Sequence, residues 1–117
     1  MRMLIGAVSL ALLAGCVSSA MNEARNQKPV RVLMSDKPTP LVAQCVQFAW
    51  QDEAVYGVDA SGYMDNANNG RMTVYTRGAE SFADLQPQGT GTEASYYAAK
   101  PDDSVALRRL AALATCL

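Results

Sequence analysis

The most reactive side chains of the sequence are three cysteines, Cys16, Cys45 and Cys116. The 117 residues include no histidine, which excludes a Ser-His-Asp triad, a Cys-His pair and every metal site built on imidazole. The chain also lacks a Cys-x-x-Cys spacing, so a redox-active pair is not indicated. We therefore expect the cysteines to have structural or attachment roles.

Carboxylates are the remaining candidates for catalysis, because a pair of them can hydrolyse a glycoside. Nothing in their spacing indicates that two converge, and so small a core leaves little room for a ligand pocket of about 300 Å³. The Gly89-Thr90-Gly91-Thr92 stretch lacks the lysine and the helix of a phosphate-binding loop. We predict a protein that is not an enzyme and uses no cofactor. The carboxylates considered are Asp52, Glu53, Glu80, Asp84 and Glu93.

A polar stretch at residues 65–70 (DNANNG) has some likeness to a calcium loop. Aligned on its glycine, it places Asp65, Ala67 and Asn69 at the first three ligand positions and Thr76 at the last. Alanine cannot bind the ion, and the closing glutamate is missing. A polar hairpin loop without metal is the better interpretation.

The charges nearly cancel, with 10 lysines and arginines against 11 aspartates and glutamates. Without a basic run, the chain lacks the electrostatic pattern of a nucleic-acid-binding protein. Arg71, Arg77, Arg108 and Arg109 could form a small basic patch for an acidic partner or lipid headgroups. A solvated polar surface explains the same residues more simply.

The N-terminus has the pattern of a signal peptide. Arg2 is followed by an apolar stretch, residues 3–14, which is shorter than the roughly 20 residues that a membrane-spanning helix needs.

The end of that stretch, Leu13-Ala14-Gly15-Cys16, resembles the lipobox of bacterial lipoproteins. The resemblance implies cleavage before Cys16, acylation of its sulfur and acylation (by palmitate or a similar chain) of the new amine. Several acyl chains anchor a protein firmly to a membrane. Val17 in place of aspartate resembles the outer-membrane class, facing the periplasm. The alternatives are a plain secretory signal with a chance cysteine and a short membrane anchor.

These features predict three segments. Residues 1–15 are the signal peptide, and residues 16–38 are the lipidated cysteine and a flexible tether, because residues 17–29 are polar and weakly periodic. Residues 39–117 form a single domain, although Val30 is an alternative start.

With Cys16 acylated, Cys45 and Cys116 remain as the one possible intramolecular pair in an oxidising compartment. Their disulfide would close a loop of about 70 residues and stabilise the domain by about 4 kcal/mol. Two unpaired buried thiols are the alternative.

Helical periodicity predicts two helices, residues 40–52 and 104–116. In the first, Trp50 is expected at the rim of the apolar stripe. The predicted stripes are Leu41, Val42, Cys45, Phe48 and Ala49 in the first helix and Ala106, Leu110, Leu113 and Leu117 in the second.

Between the helices, turn residues separate β-prone runs at residues 71–77, 82–86 and 93–99, with weaker runs at 30–34 and 55–58. We predict an α+β fold. It has a small antiparallel sheet of three to four strands, flanked on one face by an N-terminal and a C-terminal helix that a disulfide joins.

The pattern is also similar to that of a group of small, largely uncharacterised lipoproteins in proteobacterial genomes and prophages. The similarity covers residues 39–117 and implies the same fold and disulfide, but no activity. Its features are Cys45 and Trp50 in the first helix, the residue 89–92 turn before Tyr96-Tyr97, and Cys116 near the end.

Tyr96 and Tyr97 point to opposite faces of a regular strand, so one is core and the other could join Tyr75 or Trp50 in a contact surface. We therefore expect a non-catalytic binding or accessory module of the bacterial envelope, with the membrane and a protein as its partners. The alternatives are an inhibitor of a lysozyme-type cell-wall hydrolase acting through residues 59–62, a secretion-system or prophage accessory lipoprotein, and a small envelope enzyme.

Overall fold

The computed structural model describes residues 17–53 and 61–117. The predicted signal peptide, the lipobox with Cys16, the weak strand at 55–58, and Asp59 and Ala60 of the candidate inhibitory loop lie outside the described residues.

The centre of the fold is one antiparallel sheet of five strands in the order β1-β5-β4-β3-β2. The α+β class and the antiparallel arrangement are confirmed, but the described sheet exceeds the predicted three to four strands. The strands are β1 (Arg31–Ser35), β2 (Tyr63–Asn66), β3 (Met72–Tyr75), β4 (Ser81–Gln88) and β5 (Gly91–Ala98).

The additional strand is β2, which pairs with β3 from Tyr63↔Tyr75 to Asn66↔Met72. Its sequence, YMDN, is short and half polar, and aspartate and asparagine are rare in strands. The pattern therefore indicated a turn from residue 65, whereas the turn begins only after Asn66. Pairing across the sheet outweighs the local preference here.

Pro87 lies inside β4, although the sequence predicted that it would end that strand. It pairs with Thr92 of β5, but β3 runs beside β4 only as far as Leu85. At position 87, β4 is therefore an edge strand on that side, where a missing N–H costs no ladder hydrogen bond.

Within the described residues, three α-helices accompany the sheet: α1 (residues 17–25), α2 (Thr39–Gln51) and α3 (Ser104–Thr115). The helices α2 and α3 lie together on one face of the sheet. Trp50 of α2 donates an indole hydrogen bond to the Arg109 carbonyl at 3.0 Å, and Tyr96 of β5 donates its hydroxyl proton to the Ala106 carbonyl at 2.8 Å. Each large aromatic ring therefore packs in the core with its polar atom satisfied.

The buried face of α2 is rotated from the predicted stripe. Val42, Val46 and Trp50, spaced four residues apart, are fully buried, whereas Leu41 and Phe48 are each 53% exposed. Trp50 is thus a central core residue and not a rim residue. The prediction was wrong because Leu41 and Phe48 also fit helical spacing, and hydrophobicity alone did not show which stripe faces the sheet.

In α3, Ala106 and Leu113 are buried as predicted, and Leu110 and Leu117 are partly buried against the core. Arg109, predicted on the polar side, is only 4% exposed. Its Nη1 donates to Ser81 Oγ at 3.1 Å, so the charge is accommodated by a polar partner from the sheet.

The predicted disulfide between Cys45 and Cys116 is confirmed, with 5.7 Å between the two Cα atoms. It links the middle of α2 to the residue that follows α3. Cys116 is buried in the core cluster, whereas Cys45 is exposed on α2 and does not lie on the buried stripe predicted for it, so the bond joins the surface of α2 to the core at the end of α3.

Two elements lie within residues 16–38, the range predicted as lipid attachment and tether. Residues 17–25 are helical, and Arg31–Ser35 forms an edge strand paired with β5. The folded body thus includes elements well before residue 39.

We expect reduction of the disulfide to lower the free energy of unfolding by about 4 kcal/mol, because the bond spans 71 residues of sequence and restricts the unfolded chain. Urea unfolding with and without reductant measures the effect. A Cys45→Ala/Cys116→Ala variant should show the same loss and no response to reductant. An unchanged midpoint on reduction would contradict the expectation.

Gly91 lies where β5 begins, and a Cβ there would overlap the carbonyl oxygen of Ser35 in β1. We expect Gly91→Ala to destabilise the domain by about 2–3 kcal/mol, because β1 must shift to make room. Gly89→Ala is the matched control, since Gly89 has open space around it and its positive φ of 61° alone should cost about 1 kcal/mol. Thermal unfolding of both variants compares them, and equal losses would contradict the proposed overlap.

Candidate functional site

The sheet face opposite α2 and α3, termed the open face, carries a row of aromatic side chains. Tyr63 of β2 pairs with Tyr75 of β3, Tyr75 with Phe82 of β4, and Phe82 with Tyr97 of β5. Directly paired residues point to the same side of a sheet, so the four rings form one line across four strands. We refer to these four residues as the aromatic row.

The rings of the aromatic row contact one another in two pairs. The Phe82 and Tyr97 rings stack with centroids 4.6 Å apart and an angle of 11° between their planes. The Tyr63 and Tyr75 rings lie 5.4 Å apart at 32°. Tyr63, at the β2 end of the row, is 44% exposed, whereas Phe82, the third of the four rings, is 2% exposed. The row is therefore open to solvent at Tyr63 and covered at Phe82.

A polar row runs beside the aromatic row, from Asp65 through Thr73 and Asp84 to Ser95. Thr73 donates its hydroxyl proton to Asp84 Oδ1 at 2.7 Å. The open face therefore places hydrogen-bonding groups next to aromatic rings, a combination that is common in protein interfaces.

The helix α1 covers the middle of the open face, around Phe82 of β4, through Arg25. The guanidinium binds both carboxylate oxygens of Asp84, with Nε to Oδ2 at 2.7 Å and Nη2 to Oδ1 at 2.8 Å. It also donates to Thr73 Oγ1 at 3.2 Å and lies 5.3 Å from the centre of the Phe82 ring. The hydrogen bond to Asp84 raises the pKa of Arg25 above its ordinary value. This bidentate, largely desolvated pair is the stronger kind of ion pair.

Beside α1 the open face forms a groove of about 420 Å³. Its floor includes the stacked rings of Phe82 and Tyr97. The wall from α1 presents small and charged side chains, and the opposite wall is formed by the turn before β4 and the segment after β5. The residues of α1 and its C-terminal extension in the groove are Ala20, Glu23, Ala24, Gln27 and Lys28.

Arg71 places a buried polar atom at the open face. It lies two residues before Thr73, so the two side chains point to the same side of the sheet, and its Nε makes no hydrogen bond among the described residues. An unsatisfied guanidinium donor is costly to bury.

Burial raises the pKa of the Tyr97 phenol, and the nearby carboxylate of Asp84 raises it further. Burial also raises the pKa of Tyr96, whose ring lies on the opposite side of β5 in the core. The two adjacent tyrosines thus occupy opposite faces as predicted, with Tyr96 in the core and Tyr97 in the aromatic row. Tyr97 meets Phe82, whereas the sequence suggested Tyr75 or Trp50 as its neighbour.

The four arginines considered as one basic patch are separated. Arg71 lies on the open face and Arg109 is buried under α3 on the other side of the sheet. Arg108 lies 3.8 Å from Glu53 at the end of α2. The burial of Arg109 and the sheet between it and Arg71 therefore exclude a single four-arginine surface.

Three of the candidate carboxylates pair with different arginines. Asp84 binds Arg25, while Glu53 lies 3.8 Å from Arg108 and Glu80 lies 3.8 Å from Arg109. Glu93 lies on the open face with Asp84, because Asp84 pairs with Ser95 and Glu93 is two residues from Ser95 on the same strand. Asp52 caps the C-terminal end of α2.

Two further predicted sites fall partly within the described residues. Of the candidate inhibitory loop, Ser61 and Gly62 are buried, and Ser61 Oγ accepts a hydrogen bond from the Arg77 backbone at 2.7 Å. In the polar stretch, Asp65 belongs to β2 and Asn69 Oδ1 accepts from the Arg71 backbone at 3.1 Å. Within residues 17–53 and 61–117, no group of three or more cysteine, aspartate and glutamate side chains is arranged to hold a metal ion.

Comparison with known proteins gives no match. No protein-family model, no curated protein and no solved structure matches the chain. Across the part of the chain that the structure describes, no helix is both long and apolar enough to cross a membrane.

We expect the stability of the domain to fall as the pH rises above about 10, the ordinary pKa of tyrosine. In that range the unfolded tyrosines lose their protons while Tyr96 and Tyr97 keep theirs, so each can lower the free energy of unfolding by up to about 1.4 kcal/mol per pH unit. Below about pH 10 this contribution is complete. Urea midpoints from about pH 9 to 11.5 measure the decline.

Tyr96→Phe/Tyr97→Phe should be less stable at neutral pH, because Tyr96 loses its hydrogen bonds, but its stability should decline less steeply with pH. Tyr63→Phe, at the exposed end of the aromatic row, is the matched control. Identical slopes for the double variant and the unmodified chain would contradict this explanation.

Proposed function

We propose that this protein is a lipid-anchored accessory protein of the bacterial envelope that binds a protein partner through its open face and catalyses no reaction. Cys16 carries the acyl chains, and the folded body lies on the periplasmic side of the outer membrane. The observation that carries the binding role is the aromatic row, which ends at the 44% exposed ring of Tyr63.

The anchor is supported by the sequence before the described residues. The Leu13-Ala14-Gly15-Cys16 motif follows a short apolar stretch with a positive start. An oxidising compartment also agrees with the disulfide between the other two cysteines, since such bonds persist in secreted and periplasmic proteins.

The binding role is supported by where apolar surface remains exposed. Val32 and Met34 of β1 share the open face with Tyr63, and they are 47% and 58% exposed. Val32 and Met34 are neighbours at the β1 edge of the sheet, whereas Tyr63 lies at the opposite β2 edge. Contiguous exposed apolar patches commonly bind partners. Tyrosine and methionine are also enriched in protein interfaces.

The chemistry of the open face describes the partner that would fit it. Apolar or aromatic side chains would pack on Tyr63 and on Val32 and Met34. A carbonyl or carboxylate oxygen would accept the N–H of Arg71 Nε once the approach of the partner moves this side chain, since the atom is buried without a hydrogen bond among the described residues. We therefore expect a protein surface that combines apolar groups with backbone or side-chain acceptors.

The anchor is tested by intact-mass analysis of the chain purified from membranes of the native host. We expect a product that begins at Cys16 and carries the mass of its acyl chains. A Cys16→Ser variant should keep its leader or leave the membrane fraction. A product of full length in the unmodified chain would contradict the lipid anchor.

The binding face is tested by photo-crosslinking in the same cells, with a photoreactive phenylalanine at position 63. Leu107 is the matched control, because it is 53% exposed on α3, on the opposite side of the molecule. We expect a discrete protein adduct from position 63 that is absent from position 107 and is lost when Tyr75→Ala removes the neighbouring ring. No adduct, or the same adducts at both positions, would contradict a partner at the open face.

A further inference from the structure

We propose that α1 is a releasable cover of the open face, held closed by the Arg25–Asp84 ion pair. When the pair breaks, α1 leaves the sheet and uncovers the Phe82–Tyr97 end of the aromatic row. The same movement lengthens the connection between the folded body and its anchor. This inference rests on the proposed function, because it takes Cys16 as the anchor and the open face as the binding face.

The hold of α1 on the sheet is concentrated at Arg25. Both carboxylate oxygens of Asp84 accept from this one guanidinium, and Thr73 Oγ1 accepts a third hydrogen bond. The two ends of the pair are 59 residues apart in sequence, so the contact joins α1 to the middle of the sheet. Removing one partner leaves the other charge in a site where the side chains are only 17% and 12% exposed.

Arg25 also controls the covered half of the aromatic row. Its guanidinium lies over the Phe82 ring, which is 2% exposed and outside the main core cluster. Met21, one turn earlier in α1, is likewise buried outside that cluster. These two side chains are therefore buried by the closure of α1 and not by the packing of α2 and α3.

On the side that faces the groove, α1 packs loosely. The groove of about 420 Å³ separates part of the helix from Phe82 and Tyr97, and Ala20 and Ala24 offer little surface to fill it. Most helical stability in proteins comes from tertiary packing and not from intrinsic propensity. Once released from the sheet, residues 17–25 should therefore lose helical structure.

Release would change how far the body can move from the membrane. In the closed state residue 17, which follows the proposed anchor, already belongs to α1, so the body is held close to the anchor. In the open state residues 17–29 become a flexible chain with a mean end-to-end distance of about 20 Å and a fully extended length of about 43 Å. Release of α1 would thus expose more of the open face to a partner and let the folded body move farther from the membrane.

The test is hydrogen exchange followed by mass spectrometry on the full chain purified in detergent, with Asp84→Asn as the opening variant. We expect the amides of residues 19–25 to exchange at least about tenfold faster than in the unmodified chain, while those of β5 are unchanged. Trypsin should also cut faster after Arg25. Glu93→Gln is the matched control, because it removes a carboxylate from the same face of the neighbouring strand without touching Arg25.

Arg25→Gln breaks the pair from the helix side and leaves the sheet sequence intact, so it decides the question if Asp84→Asn also disturbs β4. Equal exchange of α1 in both opening variants and in Glu93→Gln would overturn the inference. A second result would also overturn it. If the amides of α1 in the unmodified chain exchange as slowly as those of β4 and β5, α1 opens only when the whole domain unfolds.

The crosslinking experiment separates this inference from the proposed function. Faster exchange of α1 without any adduct at position 63 would retain the releasable cover and remove the binding role. A specific adduct at position 63 with no change in α1 exchange would retain the binding role and remove the cover. Support for both requires faster exchange and a stronger adduct in Asp84→Asn than in Glu93→Gln.

Discussion

The Cys45–Cys116 disulfide fixes α2 and α3 on the same face of the sheet, and the two different faces of the molecule follow from that constraint. With the bond in place, Trp50 can reach the backbone of α3 and Tyr96 can reach Ala106, so both large rings are buried with their polar atoms satisfied. The small core closes on one side only. A five-stranded sheet therefore has a second face that the two long helices cannot cover.

That second face is partly covered by α1, through polar contacts. Arg25 binds Asp84 and Thr73 with charge-assisted hydrogen bonds, and its planar guanidinium lies over Phe82. Such contacts are directional and sensitive to the loss of one partner, whereas apolar packing is spread over many atoms. The two faces of the sheet thus differ in the kind of contact that covers them, and also in how much of their surface is covered.

The sequence was sufficient for the parts of the fold that depend on local patterns and on cysteine counting. It predicted the α+β class, the α2 and α3 segments, three of the strands and the disulfide. It did not predict β2, because YMDN has little strand preference and gains its pairing from Tyr75 across the hairpin. It also misassigned the buried stripe of α2, since Leu41 and Phe48 are as apolar as the residues that face the sheet.

The candidate site was harder to predict because it depends on register. Tyr75 and Tyr97 were identified as aromatic strand residues, but their neighbours in the row follow from pairings between four strands. Arg25 was assigned to a polar tether, since nothing near it in sequence indicates Asp84 as its partner. The local signal was weak, because β2, β3 and β4 each contain a single aromatic residue, whose place in the row is known only once strand order and register are known.

The aromatic row has a practical consequence for reagents directed against this protein. Each of its four rings comes from a different strand, and the row forms only when the four strands pair in register. A synthetic peptide therefore cannot reproduce the surface as an immunogen. Antibodies that recognise the row should bind only the folded chain, and they would report on intact tertiary structure in cells.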